Sequence, residues 1–142
     1  MDRRKIWIAR REGNAIPWPL IAELDGACFR KRKDPALDKE SPLAWVAGVG
    51  ELLVGYSVVE RFSETQLYIN RQGVQEGYRG HGIQRRMLAA ICRYAARRGL
   101  EVVSYTHPEN CPSSNNFIAT GFETHYVHGY SNEGWVCWRK AI

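Results

Sequence analysis

The feature that most constrains the fold is a glycine-rich turn that leads directly into the clearest helix of the chain. Glycines occupy positions 77, 80 and 82, and the residues that follow, 83–98, carry their apolar side chains on one stripe. Arginines fall on the other faces of this helix, and Gly99 suits the residue that follows a helix end. An amphipathic helix of this kind needs an apolar surface to pack on, and the flanking segments predict that this surface is a β-sheet.

Strand-like segments surround this helix. Three of them, at 43–49, 52–62 and 66–74, are joined by short turns, which predicts an antiparallel meander. An apolar segment at 100–106 is expected to be a central strand. Other predicted elements are a strand at 5–10, a helix that opens at Pro17 or Pro19 and runs to about residue 28, a helix at 112–120, and a final hairpin of 122–128 with 135–139. This order predicts a single domain spanning 1–142, of the α/β (α+β) class, with a mixed, mostly antiparallel sheet of about six to seven strands and helices on both faces.

Charge and cysteine content limit the classes of function. The net charge is +5 and the pI about 9.2, which favours polyanionic or phosphorylated partners. The four cysteines are scattered, as in reduced cytoplasmic proteins, and show no zinc-site spacing. No apolar run approaches the ~20 residues of a membrane span, and the basic N-terminus is not expected to be a signal peptide. We therefore expect a cytoplasmic protein with no membrane segment and no metal.

The turn between Gly77 and Gly82 has the chemistry of an anion site. A helix start carries unpaired N–H groups and a partial positive charge, and glycine lets backbone approach an anion closely. A nucleotide-triphosphate loop would need a Lys directly after Gly82, and Ile83 stands there. A dinucleotide fingerprint would need a third glycine where Arg85 stands. The residues at these two positions exclude both kinds of nucleotide site. The stretch is then either a site for another phosphate ligand or a turn that binds no ligand.

Two sequence blocks narrow this choice. Val74 followed by GYRGHGI at 77–83 and an arginine-rich helix resembles the acyl-CoA-binding signature of the GNAT superfamily of N-acyltransferases. The block NCPSSNNFIATGF at 110–122 resembles a later pattern of the same superfamily. The resemblance covers residues 43–140 well and the N-terminal part weakly.

This resemblance implies that acetyl-CoA is the co-substrate and lies between two splayed central strands, 66–74 and 100–106. The acyl-CoA-binding core would span about 66–122. The backbone from Gln72 to Val74 would pair with pantetheine, and the amides from Arg79 to Gln84 would hold the pyrophosphate. The implied cofactor-binding residues are Gln72, Val74, Arg79, Gly80, His81, Gly82, Ile83, Gln84, Arg85, Asn110, Ser113, Asn116 and Phe117.

The resemblance also implies transfer of the acetyl group to a primary amine by direct attack in a ternary complex. Strand 66–74 carries no Glu or Asp, where many relatives have a base. The remaining candidates are Glu64 just before that strand, and Tyr105 and His107 at the end of the next one. Phe117 stands where many relatives have the Tyr that protonates the departing thiolate. Either another group is the acid, or the thiolate of CoA, with a pKa near ~8.5, leaves unprotonated.

The acceptor is expected to contact the least patterned segments, about 17–42 and the turn 129–134, and to be a small molecule or a protein amine. An exposed edge of the final hairpin would allow a homodimer. Two alternatives stay open. One is an acyl-CoA sensor of the same fold without turnover, favoured by Phe117 and the missing strand carboxylate. The other is a basic nucleic-acid-binding module, for which the chain has no recognised motif.

Overall fold

The computed structural model describes residues 5–28, 43–107, 109–124 and 135–142 of the 142-residue chain. Seven strands and three α-helices lie within these residues, with a short 3-10 turn at Gly13–Ala15. The strands and helices are β1 (Ile6–Glu12), α1 (Trp18–Cys28), β2 (Leu43–Val49), β3 (Leu52–Arg61), β4 (Gln66–Val74), α2 (Ile83–Arg97), β5 (Glu101–Thr106), α3 (Cys111–Ala119), β6 (Glu123–Thr124) and β7 (Val136–Lys140).

The strands form one sheet in the order β1-β2-β3-β4-β5-β7-β6. All neighbouring pairs are antiparallel except β4 and β5, which are parallel. That parallel pairing is short, because only residues 66–68 of β4 pair with 101–103 of β5. The two strands therefore separate beyond Tyr68, and the predicted mixed, mostly antiparallel sheet with splayed central strands is confirmed.

Helices cover both faces of the sheet, as predicted. On one face, α2 inserts Ile83, Met87, Leu88 and Ile91 into a core with β2–β5, and these four side chains are fully or almost fully buried. On the other face, Ile21 and Leu24 of α1 pack on β2 and β3. This explains why β2 is apolar along its length, since six of its seven residues are buried between the two layers.

Several boundaries differ from the sequence predictions. β1 runs two residues further than expected, to Glu12, because it pairs with β2 along its full length. α1 begins at Trp18, so Pro19 lies in the first turn, where its missing N–H costs no hydrogen bond. The described part of the final hairpin is β6 paired with β7, and the predicted turn at 129–134 lies outside the described residues. The polar segment 29–42 lies outside them as well. None of the described helices has the length and apolar composition that a membrane span needs.

Candidate functional site

Two adjoining clefts open where β4 and β5 separate. The first cleft has a volume of about 800 Å³ and lies among the end of β4, the glycine turn, the start of α2 and the start of α3. The second cleft has a volume of about 430 Å³ and lies between β4 and β5, with Trp135 at its margin. Gln72, Asn110 and Ser113 line both clefts, so the two spaces meet at these residues.

The start of α2 forms the floor of the first cleft. Gly82 precedes the helix with φ 77°, no side chain caps it, and the first turn contains no acidic residue. The first amides of a helix have no partner within the helix, so this end presents N–H donors and the positive end of the helix dipole. A Cβ at Gly82 would meet no atom within 4 Å, so the backbone angle, and not crowding, is what requires glycine here.

A chain of polar side chains joins the start of α2 to the start of α3. The Gln84 Nε2 group donates to Ser113 Oγ at 3.2 Å, and Asn116 Nδ2 donates to Gln84 Oε1 at 2.7 Å. Arg85 Nε donates to Asn116 Oδ1 at 2.9 Å. Asn110 caps α3 by accepting a hydrogen bond from the Ser113 amide at 3.2 Å. All five residues line the first cleft, so this part of the predicted set is brought together.

The end of β4 forms a wall of the first cleft. Gln72 and Gly73 pair with β3 on one side, and β5 does not pair with them on the other. The carbonyl of Val74 accepts hydrogen bonds from Arg79 Nε at 3.0 Å and from Cys28 Sγ at 3.6 Å. A ligand that pairs with this strand must therefore share or replace the hydrogen bonds at Val74.

Aromatic rings surround the second cleft. The rings of Tyr68 and Tyr105 meet edge to face at 5.7 Å across the two strands, and those of His107 and Trp135 meet in the same way at 5.8 Å. The His107 side chain is 53 % exposed, and its Nδ1 accepts a hydrogen bond from the Glu109 amide at 3.3 Å. The carboxylate of Glu109 lies 4.0 Å from the same nitrogen. Tyr105 and His107 are thus brought together on one side of this cleft.

Three predicted residues lie elsewhere. Glu64 is in the β3–β4 turn at the closed end of the splay, where the Glu101 amide donates to the neighbouring Thr65 carbonyl. His81 lies in the glycine turn but lines neither cleft. The predicted contact of Phe117 with CoA is replaced by a core position: its ring is fully buried, meets Phe122 edge to face at 4.8 Å and stacks on Trp138 at 5.8 Å. Helix phase is the reason, because Ser113 and Asn116 turn toward the cleft and Phe117 turns away from it. Ile83 has a buried side chain as well, so only its backbone is available to a ligand.

Sequence reasoning missed a buried cluster behind the second cleft. Asp25 of α1 accepts a hydrogen bond from Arg71 Nε of β4 at 2.6 Å and another from the Tyr56 hydroxyl of β3. The sequence carried a signal for it. Asp25 lies on the apolar stripe of α1 with Ile21 and Leu24. Arg71 is buried like Leu67 and Ile69, but the bulge at Asn70 turns it to the α1 face of the sheet, whereas those two residues face α2. Opposite charges at two core-facing positions predict an internal ion pair.

Burial shifts two titratable groups near the clefts. It raises the pKa of the Cys28 thiol at the edge of the first cleft, although Arg79 nearby acts in the opposite direction. Burial, followed by the hydrogen bond and charge of Asp25, raises the pKa of the Tyr56 hydroxyl far above its usual range. Both groups are therefore protonated at neutral pH. Within the described ranges, no three His, Cys, Asp or Glu side chains are grouped as metal ligands would be.

Comparison with known proteins gives a consistent family assignment. Residues 5–122 match the model of the acetyltransferase (GNAT) family. No curated protein sequence matches the chain. Many solved structures share the fold at low sequence identity, and three of them illustrate the likeness. The IAA acetyltransferase from Bacillus cereus is 18 % identical with a TM-score of 0.75, over 96 % of this chain and 99 % of that one.

The other two contain ligands. A GNAT family acetyltransferase from Elizabethkingia anophelis with acetyl-CoA bound is 15 % identical with a TM-score of 0.73, over 97 % of this chain and 99 % of that one. Arabidopsis thaliana Naa50, in complex with the bisubstrate analogue CoA-Ac-MVNAL, is 16 % identical with a TM-score of 0.76, over 95 % of this chain and 99 % of that one. At these identities the likeness is one of fold.

Proposed function

The chain belongs to the acetyltransferase (GNAT) family, and we propose that it transfers the acetyl group of acetyl-CoA to a primary amine by direct attack in a ternary complex. The observation that carries this proposal is the meeting of the two clefts at Gln72, Asn110 and Ser113. A thioester at this junction is accessible to an amine from the second cleft while CoA fills the first. Holding the two reactants together in this way makes their reaction effectively unimolecular, which removes a large part of the barrier.

The end of the first cleft that lies at the start of α2 supports acyl-CoA binding, because it presents groups that bind an anion. The diphosphate of CoA would accept hydrogen bonds from the backbone amides at the start of α2, with Gly80 and Gly82 admitting close approach. Arg79 and Arg85 would supply opposite charge at the cleft margin. The unpaired edge of β4 at Gln72 would pair with the amides of pantetheine, as an added strand does.

The chemical step uses the second cleft. The amine nitrogen attacks the thioester carbonyl, a C–N bond forms, the C–S bond breaks and the CoA thiolate leaves. The register of β4 shifts between its pairs with Val58 and Val59, which leaves Asn70 as an additional residue at the splay. Backbone amides turned by this bulge are the proposed donors to the carbonyl oxygen as it gains charge. Phe117 has no acidic proton and its ring is buried in the core, so in this proposal the thiolate departs without a proton from residue 117.

The attacking amine must lose a proton, and His107 is the proposed group that takes it. With Nδ1 accepting from the Glu109 amide, the neutral ring carries its hydrogen on Nε2 and can only donate from that atom. The tautomer that accepts at Nε2 places a hydrogen on Nδ1, which then faces the Glu109 carboxylate 4.0 Å away. The amide of Glu109 favours the first tautomer and its carboxylate favours the second, so His107 works as a base only when it gives up the hydrogen bond from the amide. Tyr105 lines the same side of the cleft and would orient a water between the amine and His107.

The acceptor is a small amine or a protein amine in this proposal. The aromatic wall formed by Tyr68, Tyr105 and Trp135 suits an apolar or peptide portion beside the attacking nitrogen. Acetyl transfer to a peptide N-terminus and to an arylalkylamine are both compatible with these rings. Segment 17–42 is the proposed acceptor side, and its described part, α1, packs against β3 and β4.

A thiol-release screen tests this proposal. Purified protein is mixed with acetyl-CoA and, in separate reactions, with tryptamine, spermidine, kanamycin, free amino acids and short peptides, and the N-acetyl product is identified by mass spectrometry. We expect stoichiometric free CoA and N-acetylated product with at least one amine. If acetyl-CoA binds at micromolar Kd and no amine is acetylated, the result favours the acyl-CoA sensor over the acetyltransferase. If acetyl-CoA does not bind, the proposed site itself is refuted.

A further inference from the structure

The buried cluster of Asp25, Tyr56 and Arg71 is not used by the chemistry described so far. Asp25 is 1 % exposed and its Oδ1 accepts from both partners, at 2.6 Å from Arg71 Nε. Its other oxygen, Oδ2, has no hydrogen-bond partner among the described residues. Gly73 makes room for this arrangement, because a Cβ there would lie 2.8 Å from the Tyr56 hydroxyl. Three elements, α1, β3 and β4, therefore converge on one carboxylate.

The position of Arg71 connects this cluster to the second cleft. Arg71 lines that cleft, directly after the bulge residue Asn70 and directly before Gln72, which belongs to both clefts. Beyond Tyr68, β5 no longer pairs with β4, although Ser104 Oγ of β5 still donates to the Ile69 carbonyl at 3.0 Å. From Arg71 onward, the backbone pairing of β4 in the sheet is with β3. The hydrogen bond from Arg71 to Asp25 ties β4 to α1, on one face of the sheet, close to the point where β5 stops pairing with β4.

Stability alone does not account for an ion pair in this position. Removing two charges from water costs about as much as their attraction returns, and apolar side chains of similar size often serve as well. The ion pair fixes the orientation of the Arg71 side chain, because a planar guanidinium group donates its hydrogen bonds in set directions. A fixed orientation of the Arg71 side chain restrains the backbone on both sides of residue 71, which includes the bulge at Asn70 and Gln72.

We propose that Asp25 is a positioning residue for the acceptor: together with Tyr56 it holds Arg71, and through Arg71 it fixes the β4 wall of the second cleft against which the amine attacks. This inference rests on the proposed function and deepens it. The glycine turn and the polar chain between α2 and α3 hold the diphosphate end of the first cleft without Arg71. Only the contact of pantetheine with Gln72 depends on the cluster, so acetyl-CoA binding is expected to change less than amine turnover.

The test compares two variants by steady-state kinetics with the most active amine of the screen. Asp25→Asn removes the carboxylate charge and leaves Arg71 buried without it. Asp25→Leu combined with Arg71→Met replaces both charges with apolar side chains and protects the fold if the single variant unfolds. Glu101→Gln is the matched control, because it removes the carboxylate of the Arg139–Glu101 pair, 3.8 Å long, at the closed end of the splay. Acetyl-CoA Kd is measured alongside by calorimetry.

For both cluster variants we expect kcat/KM for the amine to fall by about tenfold to a hundredfold, since small misplacements of a reacting group have effects of this size. The Kd of acetyl-CoA should weaken by about fivefold at most, which corresponds to the loss of a single hydrogen bond at Gln72. The Glu101→Gln control should keep its full activity, as expected for a partly exposed pair. A double variant with wild-type kcat/KM, or one whose acetyl-CoA Kd weakens as much as its turnover, overturns this inference alone. A wild-type protein that acetylates no amine overturns the proposed function, and this inference with it.

Discussion

Substituting two glycines at opposite ends of α2 separates the role of the helix start in binding from its role in the fold. Gly82 precedes the helix with φ 77°, and Gly99 follows it with φ 66°. A Cβ would meet no atom within 4 Å at either position, so alanine costs only the left-handed backbone angle, about 1–2 kcal/mol at each site. Both Gly82→Ala and Gly99→Ala should therefore lower the melting temperature by a similar amount, about 2–4 °C for each kcal/mol in a domain near this size.

Acetyl-CoA affinity should distinguish the two variants. Of these two glycines, Gly82 lines the first cleft and Gly99 does not. Alanine at position 82 either places a methyl group in the cleft or turns the first helical amides away from the diphosphate. Loss of a favourable charge interaction at a helix N-terminus reaches about 2 kcal/mol, which corresponds to about a thirtyfold weaker Kd. We expect this loss for Gly82→Ala and an unchanged Kd for Gly99→Ala, measured by calorimetry on proteins matched for folding. Equal Kd values for the two variants would refute the assignment of the diphosphate to this helix.

Three further predictions concern single side chains. His107→Ala should lower kcat by at least about tenfold with little change in acetyl-CoA Kd, because the ring lies in the second cleft; unchanged turnover would remove it as the base. Phe117→Ala should lower the free energy of unfolding by about 3–5 kcal/mol in urea, because it leaves a cavity beside Phe122 and Trp138. Phe117→Tyr should not raise kcat, and a faster Tyr variant would contradict the core position of this residue. Burial raises the pKa of Cys28, so iodoacetamide should modify it more slowly than the exposed Cys111, and faster as the pH rises. Acetyl-CoA should slow this labelling further, as followed by peptide mass spectrometry; rapid labelling at neutral pH with acetyl-CoA bound would show that the cleft is not occupied as proposed.

The parts of the fold that the sequence predicted are those with strong local patterns. The apolar stripe of α2 and the three glycines before it are contained within about twenty consecutive residues, so periodicity and backbone rules suffice to locate them. The alternating and continuous apolar segments located β2–β5 in the same way. The polar residues that gather around the start of α2 followed from the resemblance to a family pattern, and side-chain contacts such as Gln84 with Ser113 agree with it.

The errors arise where three-dimensional placement decides the outcome. Glu64 is adjacent to β4 in sequence, but it lies at the end where β4 and β5 are paired, whereas Gln72 and His107 lie at the end where these strands separate. α3 has nine residues, and the family pattern does not distinguish its cleft-facing residues from its core-facing ones, so Phe117 was predicted beside Asn116 although its ring lies in the core. Asp25 and Arg71 are 46 residues apart, so each looked like an isolated charge until the sheet brought α1 and β4 together.

The central claim is that CoA lies in the first cleft with its diphosphate on the start of α2 and its thioester at the junction of the two clefts. Backbone amide chemical shifts, measured by NMR on ¹⁵N-labelled protein during a titration with acetyl-CoA, test it most directly. The account predicts the largest shifts at Gly80–Gln84, at Gln72 and at Ser113, with Glu64 and Glu101 at the closed end unchanged. Shifts confined to the arginines on the exposed face of α2, or spread evenly over the sheet, would contradict it.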